Sequence, residues 1–169
     1  LLLIDNCEHL IDAAAASVQA IMNDCPCITV LTTSREPLHL PGEIEWRVPS
    51  LRLPDPSEPV DASRLISYES VQLFVARAQE AAPAFRLSSD NAPVVAHICH
   101  RLDGMPLAIE LAAAQAAYLA PHQIAALLDD ALTALASRIR GTPDRQATLA
   151  ATVAWSFDLL DADERQLFP

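Results

Sequence analysis

The sequence predicts an α/β unit followed by an all-α unit. Three observations carry that prediction. Two short apolar runs, Leu1–Asp5 and Ile28–Thr33, flank an amphipathic helical pattern. A stretch with Pro49, Pro54, Pro56 and Pro59 then ends this first unit. Everything beyond it is alanine-rich with helical spacing, and glycine occurs only at Gly42, Gly104 and Gly141 in 169 residues.

The run Leu1-Leu2-Leu3-Ile4 stops on Asp5, as a buried parallel strand does when it delivers an acid to the carboxyl edge of a sheet. Residues His9–Asp24 place Leu10, Ile11, Ala14, Val18, Ile21 and Met22 at helical spacing, and Pro26 ends them. Ile28–Thr33, bounded by Pro26 and Pro37, has the β-branched content of a second strand. Strand, helix and strand within residues 1–33 form a crossover unit, so the strands are expected to be parallel. Ser34-Arg35-Glu36 then lies at the same sheet edge as Asp5, adjacent strands being about 4.8 Å apart. Glu45-Trp46-Arg47-Val48 fits a further short strand.

Four helices are expected after the prolines. Tyr68–Ala81 carries Val71, Phe74, Val75 and Ala78 on one face, and Asp90–Leu102 repeats the pattern with Ser89 or Asp90 as its cap. Pro106–Leu119 is nearly all apolar, hence buried on most sides, and Pro121–Ala136 opens on a proline suited to a first turn. Ser137–Gln146 breaks the pattern with Arg138, Arg140, Gly141, Pro143 and Arg145. Thr148–Leu160 then starts a new helical pattern, and a second one begins near Asp161 and runs to Pro169. The expected domains are 1–58, 62–140 and 145–169. Both ends fall inside expected elements, so the chain reads as a piece of a longer protein.

Half of the residues are apolar (51%), too many for a disordered acidic tail. A net charge of −11 and a pI near 4.6 argue against a nucleic-acid surface on this segment. No apolar run reaches membrane-spanning length and nothing has the make-up of a signal peptide, so a cytoplasmic protein is expected. Cys7, Cys25, Cys27 and Cys99 make neither a disulfide framework nor a zinc site, and are expected as buried or half-buried thiols in a reducing compartment.

Three constellations carry chemistry. Asp5 suits a Mg²⁺ ligand, although an Asp after a buried strand is more often a helix cap or turn residue; beside it Asn6 can orient a water but cannot take its proton. Glu8 is the nearest alternative base, or a first-turn acid favoured by the helix dipole. Thr33, Ser34 and Arg35 place hydroxyls and a guanidinium where a terminal phosphate could be read, unless Arg35 simply pairs with Glu36 or Glu43. Gly104-Met105-Pro106-Leu107 is a helix stop with Gly104 at C′ and Pro106 opening the next helix, and the proline ring could also pack on a flat ring such as adenine. There is no phosphate loop and no nucleophile elbow, and the histidines show no metal spacing, with His97 and His100 expected to straddle a helix boundary.

Taken in order, four segments resemble those of a known family. Leu1–Leu10 (LLLIDNCEHL) resembles the Walker B segment of bacterial signal-transduction ATPases of the STAND class, the NB-ARC-like ATPases fused to transcriptional regulators. Val30–Leu38 (VLTTSREPL) is similar to their sensor 1 segment, and Gly104–Ala112 (GMPLAIELA) to their GxP motif. Thr148-Leu149 with Trp155–Leu160 resembles the start of their winged-helix domain. The resemblance implies a partial parallel P-loop NTPase sheet, a helical lid subdomain and the start of a winged helix.

It also implies ATP/ADP and Mg²⁺ as cofactors, with Asp5 on the metal, Arg35 on the γ-phosphate and Pro106, flanked by Gly104 and Leu107, on the adenine. Arg145 and Thr148 would lie in the linker to the winged helix. The implied partners are an effector DNA-binding domain elsewhere in the parent protein and further copies in a nucleotide-dependent assembly, with no direct nucleic-acid contact and no membrane. Three departures stand against the pattern: the phosphate loop is missing, Asn6 replaces a frequent second acid, and the chain stops before the winged-helix histidine. They imply poor nucleotide binding by this segment alone and slow hydrolysis in the parent. The alternative function is a nucleotide-independent acidic helical scaffold for protein–protein contacts.

Overall fold

The computed structural model describes residues 1–57, 61–138 and 145–158. Most of these are helical, with one two-stranded parallel sheet. The chain divides into two units, Leu1–Val48 and Pro49–Pro169.

In the first unit β1 (Leu2–Ile4) and β2 (Val30–Thr32) are joined by a 3₁₀ turn (Cys7–His9) and α1 (Ile11–Asp24). The strands pair in parallel with Leu2 against Val30, Leu3 against Leu31 and Ile4 against Thr32. Side chains alternate across a strand. Ile4 and Val30 therefore pack, with Ile11, Ala14, Ala15 and Leu40, on a small core of Cys7, Val18 and Leu38. Leu3 and Leu31 face the other way and are exposed, so the strands expected to be buried are covered on one face only. The helix expected over His9–Asp24 begins at Ile11, because Cys7–His9 form the tighter turn.

Beyond β2 the chain loops back through His39 and Gly42, both at positive φ. The Glu43 carboxylate closes this loop by accepting from the Leu38 N–H (2.9 Å) and the Leu40 N–H (3.1 Å). Those bonds, the Leu38 one foremost, hold its carboxyl below the ordinary range. The expected strand at Glu45–Val48 is not formed: its backbone finds no partner strand among the described residues.

The second unit contains α2 (Ala62–Leu65), α3 (Glu69–Ala81), α4 (Ala92–Arg101), α5 (Pro106–Ala114), α6 (Pro121–Arg138) and α7 (Arg145–Asp158). Phe74, Ile98, Leu102, Ile109, Ile124 and Leu128 are fully buried in one core, each side chain contributing about 1.5–3 kcal/mol relative to exposure. The rings of Phe74 and Phe85 meet edge to face at 6.1 Å. Helix α7, which begins the segment likened to a winged helix, buries Trp155 in this same core. Arg145 and Thr148, whose side chains lie outside the described ones, belong to the first turn of α7, and the expected helix from Asp161 lies outside the described residues.

Several local expectations are corrected. The expected helix Pro106–Leu119 ends at Ala114, followed by a 3₁₀ turn at Gln115–Ala117, and only its Ala108, Ile109, Ala112, Ala113 face is fully buried. Neither Ser89 nor Asp90 caps α4: Asn91 is the N-cap, and its amide is spent on the Ser88 N–H and the Arg86 carbonyl. At the other end Asp103, at φ 52°, takes the left-handed C′ position, and Gly104 follows it at C″. The Asp103 N–H donates to the His100 carbonyl and the Gly104 N–H to the Cys99 carbonyl, the paired bonds of a Schellman motif.

The proline-rich stretch belongs with the helices, so the division expected near residue 58 falls at Val48/Pro49 instead. The cause is a series of long-range hydrogen bonds. The Leu51 N–H donates to the Gly104 carbonyl (3.0 Å), and the Ser70 hydroxyl donates to the Arg52 carbonyl (2.7 Å). The Arg52 N–H and Nε donate to the two carboxylate oxygens of Glu69, at 3.1 and 3.2 Å. His100 Nε2 meets the Pro54 carbonyl at 2.8 Å. This strap runs so close to the α4–α5 corner that a Cβ on Gly104 would lie 2.3 Å from the Leu51 carbonyl oxygen.

Gly104→Ala is therefore expected to cost about 2 kcal/mol or more, because left-handed strain and a backbone clash add. Gly42→Ala, with nothing within 4 Å of its added Cβ, should cost about 1 kcal/mol from strain alone. Urea unfolding of both variants checks this; equal losses would show that the strap contact adds nothing at Gly104.

Candidate functional site

The parallel register sets the site. Because Ile4 pairs with Thr32, the next residues, Asp5 and Thr33, leave the sheet side by side at its carboxyl edge. The Thr33 hydroxyl donates to Asp5 Oδ1 and accepts from the Asn6 N–H at 3.0 Å. The backbone continues the pairing, with the Thr33 N–H donating to the Ile4 carbonyl and the Cys7 N–H donating to the Thr33 carbonyl. Asn6 reaches this geometry only by adopting a left-handed conformation, φ 65° and ψ 44°. Asn tolerates that region better than most residues, and such positions cluster at functional turns.

Arg35 is 74% exposed at its side chain, and its Nε lies 3.4 Å from Glu8 Oε1. Its expected partners, Glu36 or Glu43, are not the ones it takes: the carboxylate of Glu43 is committed to its loop. With the Asn6 amide turned so that its nitrogen faces Glu8, it donates to Oε1 at 3.0 Å and its oxygen accepts from His9 Nε2. Glu8 is thus held by two neighbours in the first turn after the strand. Ser34 turns its hydroxyl back to accept from the Glu36 N–H.

Asp5, Asn6, Glu8, Thr33, Ser34 and Arg35 therefore share one open sheet edge. One carboxylate braced by a hydroxyl, with a guanidinium nearby, is a donor set suited to a hydrated divalent cation carrying phosphate oxygens, since Mg²⁺ commonly takes only one or two protein carboxylates. Among the described residues no group of three or more His, Cys, Asp or Glu forms a closed metal cage.

The remaining predicted residues lie in the second unit. Gly104 is buried beneath the strap, while Pro106 opens α5 on the surface and Leu107 is 51% exposed. The geometry accounts fully for Gly104 as a backbone requirement. A cleft of about 190 Å³ in this unit is lined by Pro54, Pro56, Tyr68, Pro93, His97 and His100 among others, and contains none of the predicted site residues.

His97 and His100 do not straddle a helix boundary; both lie within α4. His97 Nε2 meets Asp129 Oδ2 at 2.9 Å, and Arg101 pairs with the other oxygen of the same carboxylate. The anchoring roles of Glu69, Ser70 and His100 were not foreseeable from spacing, because each partner is 17 to 46 residues away. Of the four thiols Cys7 and Cys99 are buried, but Cys25 and Cys27 are exposed, flanking the proline turn after α1. Burial pushes the Cys99 thiol up to about 12.

With this geometry in hand, similarity to known proteins narrows the setting. Over 168 residues, 99% of its length, the chain is 46% identical to a protein of Mycobacterium tuberculosis (strain ATCC 25618 / H37Rv) that carries the provisional name of HTH-type transcriptional regulator. The chain is similar to a segment of that provisionally named regulator. A protein of the same provisional name from Mycobacterium bovis matches equally, and an uncharacterized protein of Mycobacterium tuberculosis is 42% identical over 167 residues. The chain spans 18% of the regulator's length and 39% of the uncharacterized protein's. No protein-family model and no solved structure matches it. Among the described residues no helix is long and apolar enough to cross a membrane.

Asp129 provides a pH test of the second unit. Burial alone would raise its pKa, but the His97 and Arg101 contacts outweigh that and lower it. A carboxylate with a lowered folded pKa contributes stability above its unfolded value, about 3.9, and loses it as pH falls through the folded value. The Tm difference between the natural chain and Asp129→Asn should thus be present at pH 6 and shrink at pH 3. A difference independent of pH would contradict the pairing.

Proposed function

We propose that the chain is part of an ATP/ADP-binding switch of the STAND, NB-ARC-like class within a transcriptional regulator. The observation that carries this reading is the carboxyl edge of the β1–β2 pair, where Asp5, braced by Thr33, lies at the same end as Ser34 and Arg35. Asp5 would hold Mg²⁺, which when bound supplies charge neutralisation for the phosphates. Thr33 orients the carboxylate, and Arg35, exchanging Glu8 for a phosphate oxygen, reads the terminal phosphate.

Asn6 bears on the rate. Its amide can orient a water but accepts no proton, and Glu8, the nearest alternative base, is itself engaged by the Asn6 amide. Hydrolysis in the parent protein is then slow, and the state of the switch is set by which nucleotide is bound: ATP favours an open, assembly-competent arrangement and ADP a closed one. The phosphate-cradling loop that such a site requires is supplied by another part of the longer protein.

Titration of the longer protein with ATP and with ADP tests the assignment. Arg35→Ala should weaken ATP binding about tenfold or more, the worth of one charge-assisted contact, while ADP binding changes little. Unchanged affinity for both nucleotides would reject Arg35 as the sensor.

A further inference from the structure

The cleft of about 190 Å³ in the second unit lies where the proline strap, α2 and α4 meet. Its floor is apolar and closed: Pro54, Leu65 and Ala96 are all buried. Tyr68 and His100, half-buried, form its walls, while Arg64 and His97 stand exposed at its mouth. A concave apolar body with a few convergent polar groups is the usual form of a small-molecule pocket.

The walls are fixed before any ligand arrives. His100 Nε2 donates to the Pro54 carbonyl at 2.8 Å and so pins the strap to α4. One turn earlier on the same helix, His97 Nε2 is held at 2.9 Å from Asp129 Oδ2. Groups already held in place lose little freedom on binding.

Charge and size set the class of ligand. In a chain of net charge −11, Arg64, His97 and His100 gather at one cleft. Asp55, the acid among the described lining residues, has Oδ1 taken by the N–H and the hydroxyl of Ser57, at 2.8 and 2.6 Å. Asp61, at the start of α2, is likewise taken by the N–H and hydroxyl of Ser63. The charge left to meet a ligand is therefore positive, and a guanidinium presents a planar donor fork to a carboxylate. A cavity of about 150 Å³ holds a benzene ring, so this cleft takes a single ring with one small substituent.

We propose that the cleft binds a monocyclic aromatic carboxylate, with its ring against Pro54, Leu65 and Ala96 and its carboxylate at Arg64 and His97. This inference does not rest on nucleotide binding: the cleft contains neither Asp5 nor Arg35.

Calorimetry on the longer protein, without nucleotide, tests it with benzoate as the probe and with benzyl alcohol and acetate as the neutral and the ringless counterparts. Benzoate should bind saturably at one site, and both counterparts at least about tenfold more weakly, the worth of one charge-assisted contact or of one buried ring. Arg64→Gln, at an exposed position, should weaken benzoate binding about tenfold. Ala96→Leu, which fills the floor, should abolish it, and Arg47→Gln, which removes an exposed guanidinium of the first unit, should leave it unchanged. An absence of saturable benzoate binding would overturn the proposal, as would either counterpart binding as tightly as benzoate. Benzoate affinity that survives Arg64→Gln intact would overturn it too.

Discussion

The hydroxyl of Thr33 joins two strand ends that are 28 residues apart in the chain. It accepts the Asn6 N–H and donates to Asp5, so the carboxylate, the left-handed turn after it and the end of β2 form one hydrogen-bonded corner. The chemistry available at this end of the molecule depends on that corner. A shift of one residue in the β1–β2 register would turn Asp5 to the opposite face of the sheet and separate it from Thr33. The small apolar set under β1 and β2, chiefly Cys7, Val18 and Leu38, is what holds the register.

The helical unit is organised differently. Its core is large and continuous, from Phe74 in α3 to Trp155 in α7, and the strap over it is held by polar contacts rather than by apolar burial alone. Glu69 lies at the start of α3, where its carboxylate takes both donors of Arg52, the backbone bond being the main reason that its pKa is lowered. Ser70, the next residue, is fully buried because its hydroxyl and N–H both serve the Arg52 carbonyl. Gly104 completes the arrangement by leaving room for Leu51. The motif Gly104-Met105-Pro106 is thus, in this chain, first a solution to a packing problem at a helix corner, and any ligand contact by Pro106 is added to that.

Much of this was legible in the sequence where the cause is local. The crossover unit follows from two apolar runs and an amphipathic stretch between them, and with it the meeting of Asp5 and Thr33 at one edge. Helices α3 to α6 follow from periodicity and prolines, and differ at their ends by two residues or fewer except at α5, which stops at Ala114 instead of Leu119. What depends on distant partners was not legible. Glu45–Val48 has strand composition but no partner strand among the described residues, Arg35 takes Glu8 from beyond the neighbouring strand rather than Glu36 beside it, and the stretch 49–54 is held through Leu51 and Arg52 by Gly104, Glu69 and Ser70. Asn91, not Ser89 or Asp90, occupies the N-cap because the loop before α4 is itself hydrogen-bonded through the Asn91 amide.

In the proposed switch, Asp5 is a magnesium-binding carboxylate at a nucleotide site. The most direct measurement is the Mg²⁺ dependence of ATP affinity in the longer protein, by calorimetry, for the natural sequence and for Asp5→Asn. Mg²⁺ should tighten ATP binding to the natural protein and have little effect on Asp5→Asn, whose amide keeps the size of the side chain but loses its charge. The same Mg²⁺ dependence in both proteins would contradict it.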